Sequence, residues 1–202
     1  ILSALQRAGH RWQATDIDPL GKRMPVIDLM SLTRALLSPA DRIAWLAILR
    51  APWCGLNLHD LFHVTNTTLP EQNPIAEGER YPLIFLNILN HTEMSNLSTE
   101  GRQILSRVSA VLKLGWDQRH RKSLRIWIEG IWAALGGAST LCSTTELEQC
   151  QQYLDLLEQQ ETGGTINDWP AFEKAVQSLY AKPDQDADPN LHVMTIHKAK
   201  GL

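Results

Sequence analysis

Residues 99–135 read TEGRQILSRVSAVLKLGWDQRHRKSLRIWIEGIWAAL and contain two helix-length apolar patterns that flank a basic stretch. In both patterns apolar side chains recur every three or four residues, which is typical of amphipathic helices. We therefore predict helices over 99–116 and 123–135. The apolar stripe of the second helix has two interpretations, because it can pack in a dry core or stack its aromatic rings on nucleic-acid bases. Its members are Trp127, Ile128, Ile131, Trp132 and Leu135.

The same spacing recurs along most of the chain, so the predicted fold class is mainly α. Further helices are expected over 1–8, 25–37, 41–49, 58–64, 81–89, 145–160 and 169–181. Ser38 followed by Pro39 predicts an N-cap before 41–49, and Ser143 with Glu146 predicts a capping box before 145–160. Short β-rich patterns at 12–15 and 191–196 predict one strand near each end.

Composition places the chain among ordinary globular proteins, with 202 residues, 44% hydrophobic and 20% charged. A net charge of −3 excludes a general polyanion binder held by bulk charge, so any contact with nucleic acid must be local. Three cysteines without CxxC spacing favour reduced thiols in a cytosol. No apolar run approaches the length of a membrane span. We expect a soluble, cytoplasmic piece of a longer protein.

Charge is distributed unevenly in the second half of the chain. Residues 102–125 hold seven arginines and lysines against the single acid Asp117. Residues 144–190 hold ten acids against Lys174 and Lys182. The basic run is either a solvated face or a surface for the DNA backbone, and in the second case we place its centre at Arg119, Arg121 and Lys122.

Nucleotide and metal sites are not predicted within this chain. Its 12 glycines form neither a GxxxxGK[ST] nor a GxGxxG run, so the chain has no complete ATP site and no predicted catalytic residue. His59 and His63 share one helical face, as zinc-binding histidines do, but Asp60 occupies the place of the glutamate and no third ligand is evident. A solvated polar face is the preferred interpretation, and we predict no metal site.

The C-terminal residues 193–202, VMTIHKAKGL, carry the most specific signal. A strand there delivers a hydroxyl, an imidazole and two ammonium groups into a loop, which suits contact with phosphates. The string also resembles motif V of the UvrD/Rep-like superfamily-one DNA helicases. Residues 49–56, LRAPWCGL, with Asp60 and Leu61, are similar to a stretch of the RecB/AddA-type branch of that family.

This resemblance implies a helical insertion, the 2B domain, within a RecA-like domain, 2A. It assigns 1–22 to the N-terminal fringe of 2A, 23–189 to a 2B-like helical insertion, and 190–202 to the strand and loop of motif V. The two termini would form a small α/β remnant of the RecA-like domain. Thr195 and His197 would contact single-stranded DNA, Lys198 a phosphate, and Lys200 and Gly201 would couple DNA to the ATP site.

By the same resemblance the parent protein is an ATP-dependent DNA helicase or helicase-nuclease of the exonuclease V type, which acts in DNA recombination and repair. It would use ATP and magnesium, and this chain alone would be inactive. Expected partners are single-stranded and duplex DNA, the rest of the helicase chain and helicase-nuclease subunits. The alternative is a non-catalytic helical interaction module whose acidic half, 144–190, meets a basic partner surface.

Overall fold

The computed structural model describes residues 8, 12–14, 19–67, 83–180 and 188–193, and these are mainly helical. Short 3-10 turns lie at Leu20–Lys22, His91–Glu93 and Gly137–Thr140. Two strands are described, β1 (Trp12–Ala14) and β2 (Asp188–Val193). The helices are α1 (Met24–Leu37), α2 (Arg42–Arg50), α3 (Leu58–Asn66), α4 (Ile84–Leu89), α5 (Thr99–Asp117), α6 (Leu124–Ala134), α7 (Thr144–Gln160) and α8 (Trp169–Ser178). The predicted mainly α class is confirmed, whereas the helix expected over 1–8 lies almost wholly outside the described residues.

The chain divides into two compact units. One is the helical unit Met24–Asn167, and the other combines both terminal segments, Ile1–Arg23 and Asp168–Leu202. The first boundary lies next to the predicted one. The second lies before α8 rather than at 189/190, because α8 packs on the turn Leu20–Lys22, where the Leu20 amide donates to the Leu179 carbonyl at 2.8 Å.

Within the terminal unit, β1 and β2 pair in parallel. Gln13 lies opposite His192 and Ala14 opposite Val193, with an irregularity between Trp12 and Gln13. Parallel neighbours cannot be joined by a tight turn and need a long connection. That connection here includes the whole helical unit. The strands near each end were predicted from sequence, although β2 begins earlier than expected.

The helical unit is organised around α1, which packs against α2, α6 and α7. Its buried residues Val26, Leu29, Leu32 and Leu36 recur at helical spacing. Thr33 is also fully buried, and its hydroxyl accepts a 2.8 Å hydrogen bond from the buried phenol of Tyr153 on α7. The Trp127 stripe on α6 is buried as well, so its core interpretation is confirmed over base stacking.

The start of α2 differs from the prediction. Asp41 is the N-cap, accepting from the Ala44 amide at 3.0 Å, while Ser38 still donates its own amide to the Arg34 carbonyl at the end of α1. Asp41 is preferred because its carboxylate also pairs with Arg34 at 2.7 Å. The second predicted cap holds, since the Ser143 hydroxyl accepts from the Glu146 amide and Glu146 reaches back to the Cys142 amide.

The loop between α2 and α3 reverses the chain through backbone geometry. Ala51 leaves the helix with ψ 152°, as expected before Pro52, and Gly55 has φ +68°. The Leu56 amide then donates to the Leu49 carbonyl at 3.0 Å, which closes the loop. Gly55 thus adopts the left-handed conformation that glycine favours.

Asp60, in the first turn of α3, joins this helix to the start of α5. Its fully buried carboxylate accepts from the Ser98 amide at 2.7 Å, the Ser98 hydroxyl at 2.6 Å and the Asn57 side chain at 2.7 Å. Ser98 in turn caps α5 by accepting from the Gly101 amide. A Cβ on Gly101 would lie 2.4 Å from the Asp60 carboxylate, so this approach requires glycine.

The pKa of Asp60 follows from these hydrogen bonds. Burial opposes its ionisation, but the hydrogen bonds from Ser98 and Asn57 and the neighbouring His59 hold its pKa below the ordinary value. A depressed pKa means that the carboxylate stabilises the folded state above the unfolded pKa of about 3.9. That contribution is lost as the pH falls through the lowered pKa.

The first prediction concerns Gly55. Gly55→Val should lower the free energy of unfolding by about 1–2 kcal/mol, because a branched residue is strained at φ +68°. No atom lies within 4 Å of the Cβ position, so the loss would come from the backbone rather than from a clash. Gly55→Asn is the matched control and should lose less, because asparagine tolerates the left-handed region. Equal urea midpoints for Val and glycine would contradict this account.

The second prediction concerns Asp60. Asp60→Asn should destabilise the chain at pH 7 by about 1–3 kcal/mol, because the new amide nitrogen would face a hydrogen-bond donor at either oxygen position. The difference from the unsubstituted chain should shrink as the pH falls below the unfolded pKa of about 3.9 towards the lowered pKa of Asp60. Urea unfolding between pH 7 and pH 3 measures both effects, with the exposed Asp117→Asn as control. A pH-independent difference would refute the role given to the charge.

Candidate nucleic-acid interface

The seven cations of 102–125 separate into two groups in the structure. Three of them hold the fold together. Arg102 donates to the carbonyls of Met94 and Ser95 at 2.7 and 2.9 Å. Arg107 donates to the Leu135 carbonyl at 2.9 Å and to that of Trp53 in the α2–α3 loop. The third is Arg125, which pairs with carboxylates on α7.

Arg125 is the point where the basic and acidic segments meet. It lies 2.7 Å from Asp155 and 2.9 Å from Glu158 on α7, and 3.6 Å from Glu129 one turn along α6. The hydrogen bond to Glu158, opposed by partial burial and reinforced by Asp155, raises the pKa of the guanidinium. Glu161 is also engaged, accepting from the Leu124 amide at 2.6 Å. Some of the acidic residues of 144–190 therefore neutralise Arg125, and another caps the start of α6.

The other group surrounds the turn between α5 and α6. We name Gln118–Lys122 the cationic turn. His120 adopts φ +64°, and the amides of Arg119 and Arg121 donate back to Trp116 and Gln118, which makes the turn tight. Arg119, Arg121 and Lys122 are all exposed, and among the described residues none of them forms an ion pair.

Arg119 is held in place by an aromatic series. Its guanidinium carbon lies 4.3 Å from the centroid of the Trp116 ring. Trp116 packs against Phe85 at 4.7 Å between centroids, and Phe85 packs against the fully buried Trp45 at 5.3 Å. A cation on an aromatic face keeps its charge while losing little freedom on binding. Arg119 is therefore preorganised for an anion.

The charge of this surface is local and moderate. Lys113 on α5 is exposed too, whereas Asp117 beside the turn removes one positive charge. A tight turn that presents three exposed cations suits two or three phosphates of a nucleic-acid backbone.

The histidine pair does not assemble into a metal centre. The rings of His59 and His63 lie 4.6 Å apart in an edge-on arrangement, and His59 Nε2 lies 3.1 Å from the Asn96 carbonyl. Over the residues that the structure describes, no three His, Cys, Asp or Glu side chains come together as ligands. Asp60 between them is enclosed by Ser98 and Asn57 instead.

The residues of motif V that are predicted to contact DNA or to couple it to the ATP site, Thr195, His197, Lys198, Lys200 and Gly201, lie outside the described residues, and β2 ends two residues before Thr195. The structure therefore brings together only the cationic-turn half of the predicted site. Sequence reasoning missed the division of the basic run into structural and exposed cations. The only signal for it was the helical phase of Arg125, which lies one turn from Glu129.

No helix in the described segments is long and apolar enough to span a membrane. The chain matches neither a model of a known protein family nor a curated protein.

The third prediction tests the cationic turn. Replacing Arg119, Arg121 and Lys122 by alanine should lower the affinity of the 202-residue chain for duplex DNA. It should also reduce the slope of log affinity against log salt by about 0.9 for each phosphate that is no longer neutralised. Lys174→Ala, an exposed lysine of α8, is the matched control and should leave the slope unchanged. If the triple variant keeps the original slope, the turn is only a solvated face.

Proposed function

We propose that this chain is a region of an ATP-dependent DNA helicase of the UvrD/Rep-like superfamily-one type, in its RecB/AddA branch. The helical unit Met24–Asn167 would be the 2B-like insertion, and the terminal unit would belong to the RecA-like domain. The observation that carries the proposal is the parallel pairing of β1 with β2 on either side of the inserted helical unit.

This topology supports an insertion for a physical reason. Two adjacent strands of a RecA-like sheet can accept a long insertion in their connection, because the strands still pair and the host sheet keeps its hydrogen bonds. β2 also leads directly into the motif V string TIHKAKGL at 195–202. Strand placement and motif thus support the same assignment from independent observations.

In this proposal the C-terminal residues contact single-stranded DNA and the cationic turn contacts duplex DNA. The Thr195 hydroxyl donates to a phosphate of the translocated single strand, and the His197 imidazole donates or stacks beside it. Lys198 adds a phosphate contact, while Lys200 and Gly201 connect that strand to the ATP site. ATP and magnesium bind elsewhere in the parent protein, since this chain has no phosphate-binding loop.

The cationic turn supplies the second contact. Arg119, Arg121 and Lys122 would lie along duplex DNA ahead of the fork, where contacts independent of sequence allow movement along the duplex. The alternative of an acidic docking module has less support, because Asp155, Glu158 and Glu161 already have partners on α6. We therefore propose the helicase function rather than a module that only binds proteins.

The fourth prediction tests the coupling of DNA to ATP in the full-length protein. His197→Ala should weaken single-strand binding and reduce DNA-stimulated ATP hydrolysis by about tenfold or more, the expected effect of removing one hydrogen bond to a charged group. The rate without DNA should stay nearly constant, because His197 does not contact nucleotide in this proposal. Steady-state ATPase assays with and without single-stranded DNA measure both rates.

Lys174→Ala serves again as the control for an exposed side chain outside the motif. Undiminished stimulation of the His197→Ala protein would remove this residue from the coupling path. A full-length protein that hydrolyses no ATP under any DNA condition would refute the helicase assignment itself.

A further inference from the structure

An open groove of about 250 Å³ lies between the C-terminal half of α5 and the helix α6. Its lining is almost entirely apolar, and the polar members Gln118 and Lys122 both lie at the end next to the cationic turn. Of the residues that line the groove, only Lys122 belongs to the DNA contact proposed above, and the apolar lining has no role in that contact. It lies wholly within the helical unit.

Two glycines give the groove its depth. Gly115 lies against α6, where an added Cβ would lie 2.5 Å from the Ile131 side chain, and its carbonyl accepts a 2.6 Å hydrogen bond from the Trp127 indole. Gly130 is exposed, and a Cβ there would meet no atom within 4 Å. The helices therefore meet closely at Gly115, while Gly130 leaves an empty notch above the contact.

The walls of the groove expose large aliphatic side chains to solvent. Leu114 on α5 is 65% exposed and Ile126 on α6 is 53% exposed. Single exposed leucines are common, but two large aliphatic side chains that border the same apolar groove form a continuous patch, which is typical of an interaction surface. Burying them against a partner would remove apolar area from water.

The charge around the groove selects the kind of partner. Lys122 lines one end, Arg119 and Arg121 follow on the same turn, and no carboxylate is among the lining residues. The cations could bind phosphates, but a phosphate partner would leave the apolar side chains of Leu114 and Ile126 exposed to solvent. A second copy of this chain in a symmetric pair would bring cationic turn against cationic turn. A partner with apolar anchors and acidic neighbours satisfies both features.

We propose that this groove docks an acidic amphipathic helix of a partner protein. The end of α5 and the following Gln118, residues 111–118, border it over about 10 Å, which corresponds to nearly two helical turns of a bound segment. Apolar side chains at positions i, i+4 and i+7 of the bound helix pack into the groove over Gly130. Acidic residues at one end of that helix form ion pairs with Lys122. This inference does not depend on the proposed helicase function.

The fifth prediction uses the open space at Gly130. The probe is a fluorescein-labelled synthetic helix with leucines at i, i+4 and i+7 and glutamates elsewhere, titrated with the 202-residue chain and followed by anisotropy. Gly130→Leu should fill the notch and weaken binding by about tenfold or more. The fold is expected to survive, because the new side chain meets no neighbour.

Gly130→Ala is the matched control. It should bind the probe as the unsubstituted chain does and should raise the thermal midpoint, since alanine is a better helix former than glycine. Leu114→Ser is a second test, because it changes the groove without changing the contact between α5 and α6 at Gly115. It should also weaken binding. Lys122→Glu should weaken binding of the glutamate probe and restore binding to the same helix with lysines in place of the glutamates.

Three outcomes would overturn the proposal. The first is unchanged probe binding by Gly130→Leu and Leu114→Ser, both shown by circular dichroism to be folded. The second is loss of duplex DNA affinity in these two variants without loss of probe binding, which would assign the groove to nucleic acid. The third is concentration-dependent self-association of the unsubstituted chain in sedimentation that Gly130→Leu abolishes. Because none of these measurements involves ATP, they are independent of the helicase test.

Discussion

The buried carboxylate of Asp60 is the constraint on which the arrangement of the helical unit depends. Its three donors come from the residue before α3 and from the N-cap of α5, so one side chain sets where two distant helices begin. The contact tolerates only glycine at position 101. A buried charge held by several donors defines one geometry, because a shift of α5 relative to α3 would take both Ser98 donors away from it. The direction of α5, and with it the cationic turn, follows from this contact.

Tertiary contacts also decide what the charge pattern means. Along the chain the basic and acidic segments are two separate blocks, but Arg125 with Asp155 and Glu158 shows that they neutralise each other where α6 packs on α7. Three exposed cations, Arg119, Arg121 and Lys122, lie on the turn around His120, whose φ is +64°. The proposed DNA contact and the proposed docking groove are neighbours here. Lys122 belongs to both, so the two partners would influence each other's binding through this residue.

Much of the fold was predictable because it depends on local chemistry. Helical spacing and caps such as Ser143 with Glu146 located most helices to within a few residues. The cap of α2 was not predictable in the same way. Ser38 and Asp41 are both good N-cap residues, and the choice of Asp41 depends on Arg34, which only the packing of α1 brings alongside.

The sequence by itself determined the helical class, the strands at the two ends and the absence of a phosphate-binding loop. The tertiary structure alone decided that β1 and β2 are parallel neighbours, that α8 belongs with the terminal segments and that Asp60 is structural. It alone created the groove over Gly130, whose walls come from two helices. The physical reason is the sequence separation over which each kind of interaction acts. Helix propensity and capping act within a few residues. Strand pairing, the hydrogen bonds to a buried carboxylate and a groove between helices depend on groups that meet only after the chain has folded.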